Sequence, residues 1–97
     1  MGKGKAGTEE GLTLSYHVEL ETRAKKEFFD LPKQIQSRIA SVLDDLKHNP
    51  RPPGAKKLIG QEGYRVRKGD YRILYTVHDQ EHLVRVYRMG HRREVYR

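Results

Sequence analysis

The sequence contains no cysteine, and this absence removes several classes of protein at once. A chain without thiols has no disulfide framework and no thiolate-bound metal. It also lacks any apolar run near the roughly 18 residues that a membrane span requires. Its first residues, MGKGKAGTEEG, lack the apolar segment of a signal peptide. These absences predict a cytoplasmic protein with no membrane partner.

Motifs with a known catalytic or metal-binding spacing are missing too. The chain has no phosphate-binding glycine loop, no HExxH pair, no GxSxG turn and no zinc-finger spacing. His78 and His82 are four residues apart, but they fall in a predicted hairpin turn that does not align them, and no third ligand is near. We therefore predict neither a metal nor a cofactor.

Hydrophobic residues make up only 35% of the 97 residues, and charged residues make up 34%. A chain of this length and composition forms one small core. Residues 1–12 hold four glycines and no apolar period, which predicts a flexible leader, and residues 13–97 then form a single domain.

The net charge of +7 arises in the second half of the chain. Residues 1–50 contain eight basic and eight acidic residues, whereas residues 51–97 contain twelve basic and five acidic ones. A localised basic surface attracts polyanions, so nucleic acid is the leading class of partner and an acidic protein is the second. A charged face that only keeps the protein soluble is the plainer interpretation.

The first half predicts one strand and two helices. Thr22 is the predicted N-cap of a short first helix, and Pro32 suits the first turn of the second helix. Alternating apolar residues on one face of the strand are Leu14, Tyr16, Val18 and Leu20. The apolar stripe of the second helix consists of Ile35, Ile39, Val42, Leu43 and Leu46.

The second half predicts strands joined by short turns, beginning at Leu58 and Ile59. In YRVRKGDYRILYTV two strands meet at a turn of residues 68–70, and a turn at residues 78–82 leads to the last strand. The order β-α-α-β-β-β predicts an α+β fold with two N-terminal helices on a twisted, mainly antiparallel sheet of about four strands. In the last strand Val84 and Val86 alternate with Arg85 and Tyr87.

Four arginines are the candidate functional residues. Arg65 and Arg67 share one face of a strand, and the hairpin returns Arg72 close to them. Arg92 leaves the last strand after Gly90, so all four can meet on one concave face. Guanidinium groups match phosphate oxygens and stay charged at any working pH. A phosphate-binding site and a set of unrelated surface arginines are both open on spacing alone.

Residues around these arginines add further chemistry. His91 can transfer a proton near neutral pH, and the ring of Tyr96 can stack on an unpaired base. Lys68 and Arg93 are further cations for RNA binding.

The helical hairpin with its Leu-Pro joint, the segment YRVRKGDYRILYTV and the terminal GHRREVY together resemble the RelE branch of the RelE/ParE superfamily of toxin–antitoxin toxins. The resemblance covers about residues 14–97. It implies a ribosome-dependent endoribonuclease, or mRNA interferase, that cuts mRNA in the A site and inhibits translation. It also implies a cognate antitoxin, which joins the toxin in binding operator DNA.

The resemblance assigns roles to individual residues. The paired basic positions fall on Arg65 and Arg67, the phosphate-binding position on Arg72, the arginine after the glycine on Arg92, and the base-stacking position on Tyr96. The best-understood member has lysines where this chain has Arg65 and Arg67. Arginine is a poor base, so the resemblance leaves proton transfer to His91 or Lys68.

Two other functions are open at this point. A ParE-like toxin would share the fold, poison DNA gyrase and have no RNase activity. A non-catalytic nucleic-acid-binding module would use the basic sheet face without turnover. The chain has no acidic segment to cover that face, so we expect the antitoxin to bring an acidic, helical arm.

Overall fold

Residues 15–95 are described by the computed structural model. The predicted leader, residues 1–12, lies outside this range, as does Tyr96. The elements in chain order are β1 (His17–Leu20), α1 (Thr22–Phe29), α2 (Lys33–His48), β2 (Lys56–Lys57), β3 (Tyr64–Lys68), β4 (Tyr71–His78), β5 (Leu83–His91) and α3 (Arg92–Val95).

The strands form one mixed sheet in the order β1-β5-β4-β3-β2. The pairs from β2 to β5 are antiparallel, whereas β1 runs parallel to β5. A parallel pair needs a long connection between its strands, and α1, α2 and the other strands supply it here. The α+β prediction is confirmed, and the short strand β2 brings the sheet to five strands.

The two long helices cover one face of this sheet. Ala24, Ile39 and Leu46 from the helices are buried against the sheet. The sheet's buried apolar side chains in the core between the two layers are Val66, Ile73, Tyr75, Val84, Val86 and Met89. We call the opposite sheet face the open face; alternation along β3 and β4 places Arg65, Arg67 and Arg72 there.

The helix starts differ from the sequence prediction. The N-cap of α1 is Glu21, which makes no side-chain capping hydrogen bond, and Thr22 is the first helical residue. The prediction of a Thr22 cap was therefore wrong. Pro32 is the N-cap of α2, and its carbonyl accepts hydrogen bonds from the N–H groups of Ile35 and Gln36.

A β-bulge interrupts the pairing of β4 with β5. Tyr75 pairs with Val86 and Leu74 pairs with Arg88, so Tyr87 is an extra residue on β5. The bulge shifts the side-chain alternation by one position and turns Met89 toward the core, where it is 1% exposed. The strand extends to His91, so the chain leaves the sheet after His91 and not after Gly90.

The loop before β3 also departs from the prediction. Leu58 and Ile59 follow β2 and are not part of a strand, and the side chain of Ile59 is 97% exposed. The N–H of Leu58 donates to the carbonyl of Gly63 at 2.9 Å, which closes this loop at its base.

Candidate functional site

The β3–β4 hairpin sets the geometry of the arginines. Its loop has two residues, Gly69 and Asp70, and Gly69 has a φ of 60°. A positive φ at the first loop position is typical of a type II′ turn and favours glycine. This turn fixes the register in which Arg67 lies directly opposite Arg72.

Two arginines directly opposite each other are an unfavourable pair in a sheet. Their Cβ atoms are about 5 Å apart, and like charges in this position are destabilising. Arg67 is exposed, whereas Arg72 is only 7% exposed. On the other side of Arg72 the paired residue is Gly90, which contributes no side chain to this row. An anion bound at this row would offset the repulsion.

The C-terminal segment is attached to the same hairpin. The N–H of Arg92 donates to the carbonyl of Asp70 at 2.8 Å. This hydrogen bond holds the first residue of α3 against the turn between β3 and β4. Arg92 and Arg93 are both exposed at this position.

His91 and Lys68 lie on the other side of the hairpin end. Both pair with Tyr71, in the row whose side chains point to the helix side of the sheet. The rings of His91 and Tyr71 are in edge contact, with centroids 5.7 Å apart. The N–H of Arg93 donates to Nδ1 of His91 at 3.2 Å. In the neutral ring the proton is then on Nε2, which makes that atom a donor.

A cleft of about 240 Å³ adjoins this second row. It lies between α2 and the hairpin end and is lined by Ile35, Arg38, Ile39, Lys68, Gly69, Asp70 and Tyr71. Cationic side chains therefore flank the hairpin end on both of its faces.

The structure thus places the predicted residues in two groups at one end of the sheet. Arg65, Arg67 and Arg72 share the open face, and Lys68 and His91 lie across the hairpin end from them. The hydrogen bond to Asp70 adds Arg92, with Arg93 beside it. Tyr96 lies outside the described residues, so its placement stays a prediction.

A polar network at the opposite end of the sheet was not predicted. Arg51 makes a two-pronged ion pair with Asp79, at 3.1 and 2.8 Å, and its Nε donates to the hydroxyl of Tyr64 at 2.9 Å. The hydroxyl of Tyr16 donates to Asp79 at 2.6 Å. Hydrogen bonds from Arg51 first, and then from Tyr16, lower the pKa of Asp79 to about 2.

Next to this network, Tyr75 anchors the connector after α2. Its hydroxyl donates to the carbonyl of Pro50 at 2.7 Å, and burial raises its pKa to about 12. The ring of Tyr75 stacks on that of Tyr64, with centroids 5.8 Å apart. The apolar alternation along β4 predicts that Tyr75 is buried. It does not predict the hydrogen bond of the hydroxyl, because the partner is a backbone carbonyl.

Glu27 on α1 is a second residue that sequence reasoning missed. It accepts hydrogen bonds from the N–H of Met89 at 2.8 Å and from Nε of Arg88 at 3.0 Å. β1 ends its pairing with β5 at Val86, so Glu27 occupies the edge of β5 beyond that point. Glu27 thereby fixes the part of β5 that leads into the candidate site.

Among residues 15–95, no helix combines the length and apolar character needed to cross a membrane. The same residues contain no group of three or more His, Asp or Glu side chains that is arranged to hold a metal ion. His78 instead contacts Thr76, with 2.9 Å between its Nε2 and the threonine hydroxyl.

Comparison with known proteins gives a family match over most of the chain. Residues 18–96 match the family described as the ParE toxin of the type II toxin–antitoxin system parDE. The toxin RelG of Mycobacterium tuberculosis is 30% identical over 88 residues, which cover 87% of this chain and 99% of that protein.

Solved structures with the same fold include the isolated RelE toxin of E. coli. That structure has a TM-score of 0.72 and 29% sequence identity, and the match covers 84% of this chain and 92% of the toxin. The intact E. coli RelBE toxin–antitoxin complex has a TM-score of 0.71 and 26% identity over 79% of this chain and 96% of the matched one.

Proposed function

The chain belongs to the ParE toxin family of type II toxin–antitoxin systems, in its RelE branch, and from this membership we propose that it is an endoribonuclease that cleaves mRNA in the ribosomal A site. The observation that carries the proposal is the directly opposed pair of Arg67 and Arg72, beside Arg65 and within reach of the segment that begins at Arg92. Such a cluster is suited to a phosphodiester that gains negative charge during the reaction.

The reaction is an internal transesterification. The 2′-hydroxyl of the target nucleotide loses its proton and attacks the adjacent phosphorus, and the bond from phosphorus to the 5′-oxygen breaks. The 5′-oxygen takes up a proton, so the products are a 2′,3′-cyclic phosphate and a 5′-hydroxyl. Neither oxidation nor an external nucleophile is involved, and the protein supplies charge stabilisation and proton transfer.

Each residue has a role in this scheme. Arg65, Arg67, Arg72 and Arg92 bind the scissile phosphate and offset its growing charge, and Tyr96 holds the target base. His91 is the candidate acid or base, and in its neutral form the Arg93 N–H on Nδ1 leaves a proton on Nε2 that can donate a hydrogen bond to the reacting phosphate. Lys68 is the other candidate for proton transfer, since a lysine can lose its proton whereas an arginine does not. In this scheme the scissile bond lies at the hairpin end, between the two groups of residues.

Cleavage on programmed ribosomes tests the proposal. Toe-printing of stalled mRNA should reveal cleavage by the wild type and a rate lower by roughly a hundredfold or more in Arg67→Ala and Arg92→Ala. Tyr96→Phe keeps the ring and removes the hydroxyl. Cleavage by this variant therefore separates base stacking from hydrogen bonding as the role of Tyr96. Arg85→Ala is the control, because Arg85 is an arginine that pairs with Glu19 on β1, away from the hairpin.

Thermal unfolding distinguishes the loss of a functional residue from the loss of folded protein. Removing Arg67 relieves the repulsion with Arg72, so Arg67→Ala should melt no lower than the wild type while its cleavage falls. Equal cleavage by the wild type, Arg67→Ala and Arg92→Ala would reject this site.

A gyrase-poisoning activity is the second candidate, because the matching family model is that of ParE. It predicts inhibition of DNA supercoiling by purified gyrase and no cleavage of ribosome-bound mRNA. The two assays on one preparation separate the candidates.

We further propose an antitoxin partner with an acidic, helical arm. The E. coli relative is found in a complex with its antitoxin, and the basic residues of this chain have few acidic neighbours in the second half of the sequence. Co-expression with the neighbouring open reading frame should rescue growth and yield a complex that salt weakens. Operator DNA is then bound only through that complex.

A further inference from the structure

The cationic surface does not stop at the hairpin. β2 pairs with β3 so that Lys56 lies directly opposite Arg65, on the open face, whereas the neighbouring Lys57 pairs with Tyr64 on the helix side. Lys56 and Arg65 are about 5 Å apart at Cβ, and Arg65 and Arg67 are about 7 Å apart along β3. The four cations Arg72, Arg67, Arg65 and Lys56 therefore form a continuous diagonal row, which we call the cation row.

Two members of this row are available to a ligand. Lys56 and Arg67 are exposed and make no ion pair with any residue in the range 15–95. The spacing of the cation row is comparable to that of successive phosphates in an extended single strand. A strand whose scissile phosphate lies at Arg67 and Arg72 thus places a neighbouring phosphate between Arg65 and Lys56.

The cation row ends in a groove with a different lining. This groove has a volume of about 470 Å³ and is formed by Lys56, Lys57, Leu58, Ile59, Gln61 and Arg65. The loop that carries Ile59 is closed at its base by the Leu58–Gly63 hydrogen bond, yet Ile59 is almost completely exposed. An apolar side chain held in this position offers a surface for the face of an unpaired base. Gln61, two residues further, carries a donor and an acceptor for base edges.

We propose that this groove binds a nucleotide that flanks the cleavage site in the same RNA strand. Lys56 holds its phosphate, together with Arg65, which lies between this phosphate and the scissile one. Ile59 contacts its base, and Gln61 reads the base edge. The proposal rests on the proposed endoribonuclease function and adds to it a source of sequence preference outside the target nucleotide. Continuity with the Arg67–Arg72 pair favours RNA over an acidic peptide as the occupant.

Binding of non-cleavable RNA tests the groove separately from catalysis. Fluorescent single-stranded RNAs carry a 2′-deoxy nucleotide at the cleavage position and are extended by one to three nucleotides on either side. For the wild type, extension on one side should tighten binding by roughly fivefold, as expected for one added phosphate contact. Lys56→Ala should lose this gain without weakening the shortest RNA.

Gln61→Ala gives a specificity readout that a structural role would not change. In the wild type, affinity should depend on which base occupies the added position, and Gln61→Ala should reduce that dependence. Lys33→Ala is the matched control, because Lys33 is an exposed lysine at the start of α2, in the helical layer. It should behave as the wild type at every length.

The outcomes also separate this proposal from the proposed function. An extension gain that persists in Lys56→Ala, or an equal loss at all lengths, overturns the flanking site even if mRNA is cleaved. Weakened antitoxin binding by Lys56→Ala with unchanged RNA binding overturns it too, in favour of a protein occupant. Absence of ribosomal cleavage by the wild type, with the extension gain present, rejects the nuclease function and leaves an RNA-binding groove.

Discussion

Gly63 lies at the end of the β2–β3 loop, close to the backbone of β4. It has a φ of 113°, and a Cβ added there would lie 2.5 Å from the carbonyl oxygen of Tyr75. Tyr75 is fully buried in β4, the central strand of the sheet, so its backbone has little freedom to move. The position thus demands glycine for two independent reasons.

We expect Gly63→Ala to lower the free energy of unfolding by about 3 kcal/mol, because left-handed strain and a backbone clash act together. Gly60→Ala is the control: Gly60 has a φ of 81°, but a Cβ there meets no atom within 4 Å. That variant should lose only about 1 kcal/mol. Urea unfolding measures both, and equal losses would exclude the clash with Tyr75 as a cause.

The position of a single residue could be predicted where the sequence pattern that determines it lies close by in the chain. The pair Arg67 and Arg72 followed from alternation and a tight turn, both of which are local. The bulge at Tyr87 did not, although a change of phase between Val86 and Met89 was present in the sequence. Val86 and Met89 both face the core although they are three residues apart. Strict alternation would place them on opposite faces, and the extra residue of the bulge allows both to be buried.

At the scale of elements, the Arg51–Asp79 ion pair joins two connections that are far apart in sequence. Arg51 follows α2, whereas Asp79 lies in the turn between β4 and β5. The pair therefore holds the end of the helical layer against the end of the sheet opposite to the candidate site.

The lowered pKa of Asp79 makes this link dependent on pH. Its folded-state pKa is about 2, below the ordinary value of 3.8. The carboxylate therefore contributes stability above about pH 4, and that contribution is lost as the pH falls toward 2. The Tm difference between wild type and Asp79→Asn should be constant from pH 7 to about pH 5 and then shrink.

Asp44→Asn is the matched control, because Asp44 pairs with Lys47 on the exposed surface of α2. It should melt like the wild type throughout the range. A Tm difference for Asp79→Asn that did not change with pH would mean that the charge of Asp79 is not what stabilises the link.

The helices and the β3–β4 hairpin were predictable as elements, because period and turn chemistry agree there. The segment of Leu58 and Ile59 was not, since its apolar pair suits a strand. The loop forms instead because Gly60 and Gly63 both adopt a positive φ, and the pairing of β2 ends at Lys57. Because this segment forms a loop and not a strand, it can line the groove in which we propose that the flanking nucleotide binds.

For the whole molecule, the question is whether nucleic acid responds to the net charge of +7 or to the cation row. Each phosphate neutralised on a single strand contributes about −0.7 to the slope of log affinity against log salt. We expect Arg67→Ala to make the slope for RNA shallower by about that amount. Arg85→Ala, which removes the same charge elsewhere, should leave the slope unchanged, whereas equal changes would indicate diffuse attraction.

The fold class was predictable at this scale, whereas the sheet order was not. Chain order and hydrophobic pattern define two layers, but they do not say that β5 lies between β1 and β4. The parallel pairing of β1 with β5 depends on contacts between residues such as Val18 and Val84, which are distant in sequence.

That insertion of β5 determines the order in which the molecule can assemble. The β3–β4 hairpin needs only its own turn, so its arginines can come together early, whereas β1 has no strand to pair with until β5 has been added between it and β4. We therefore expect sheet closure to be a late and slow event of folding. A chain that stalls before it would expose two unpaired strand edges together, and self-association would compete with the native state.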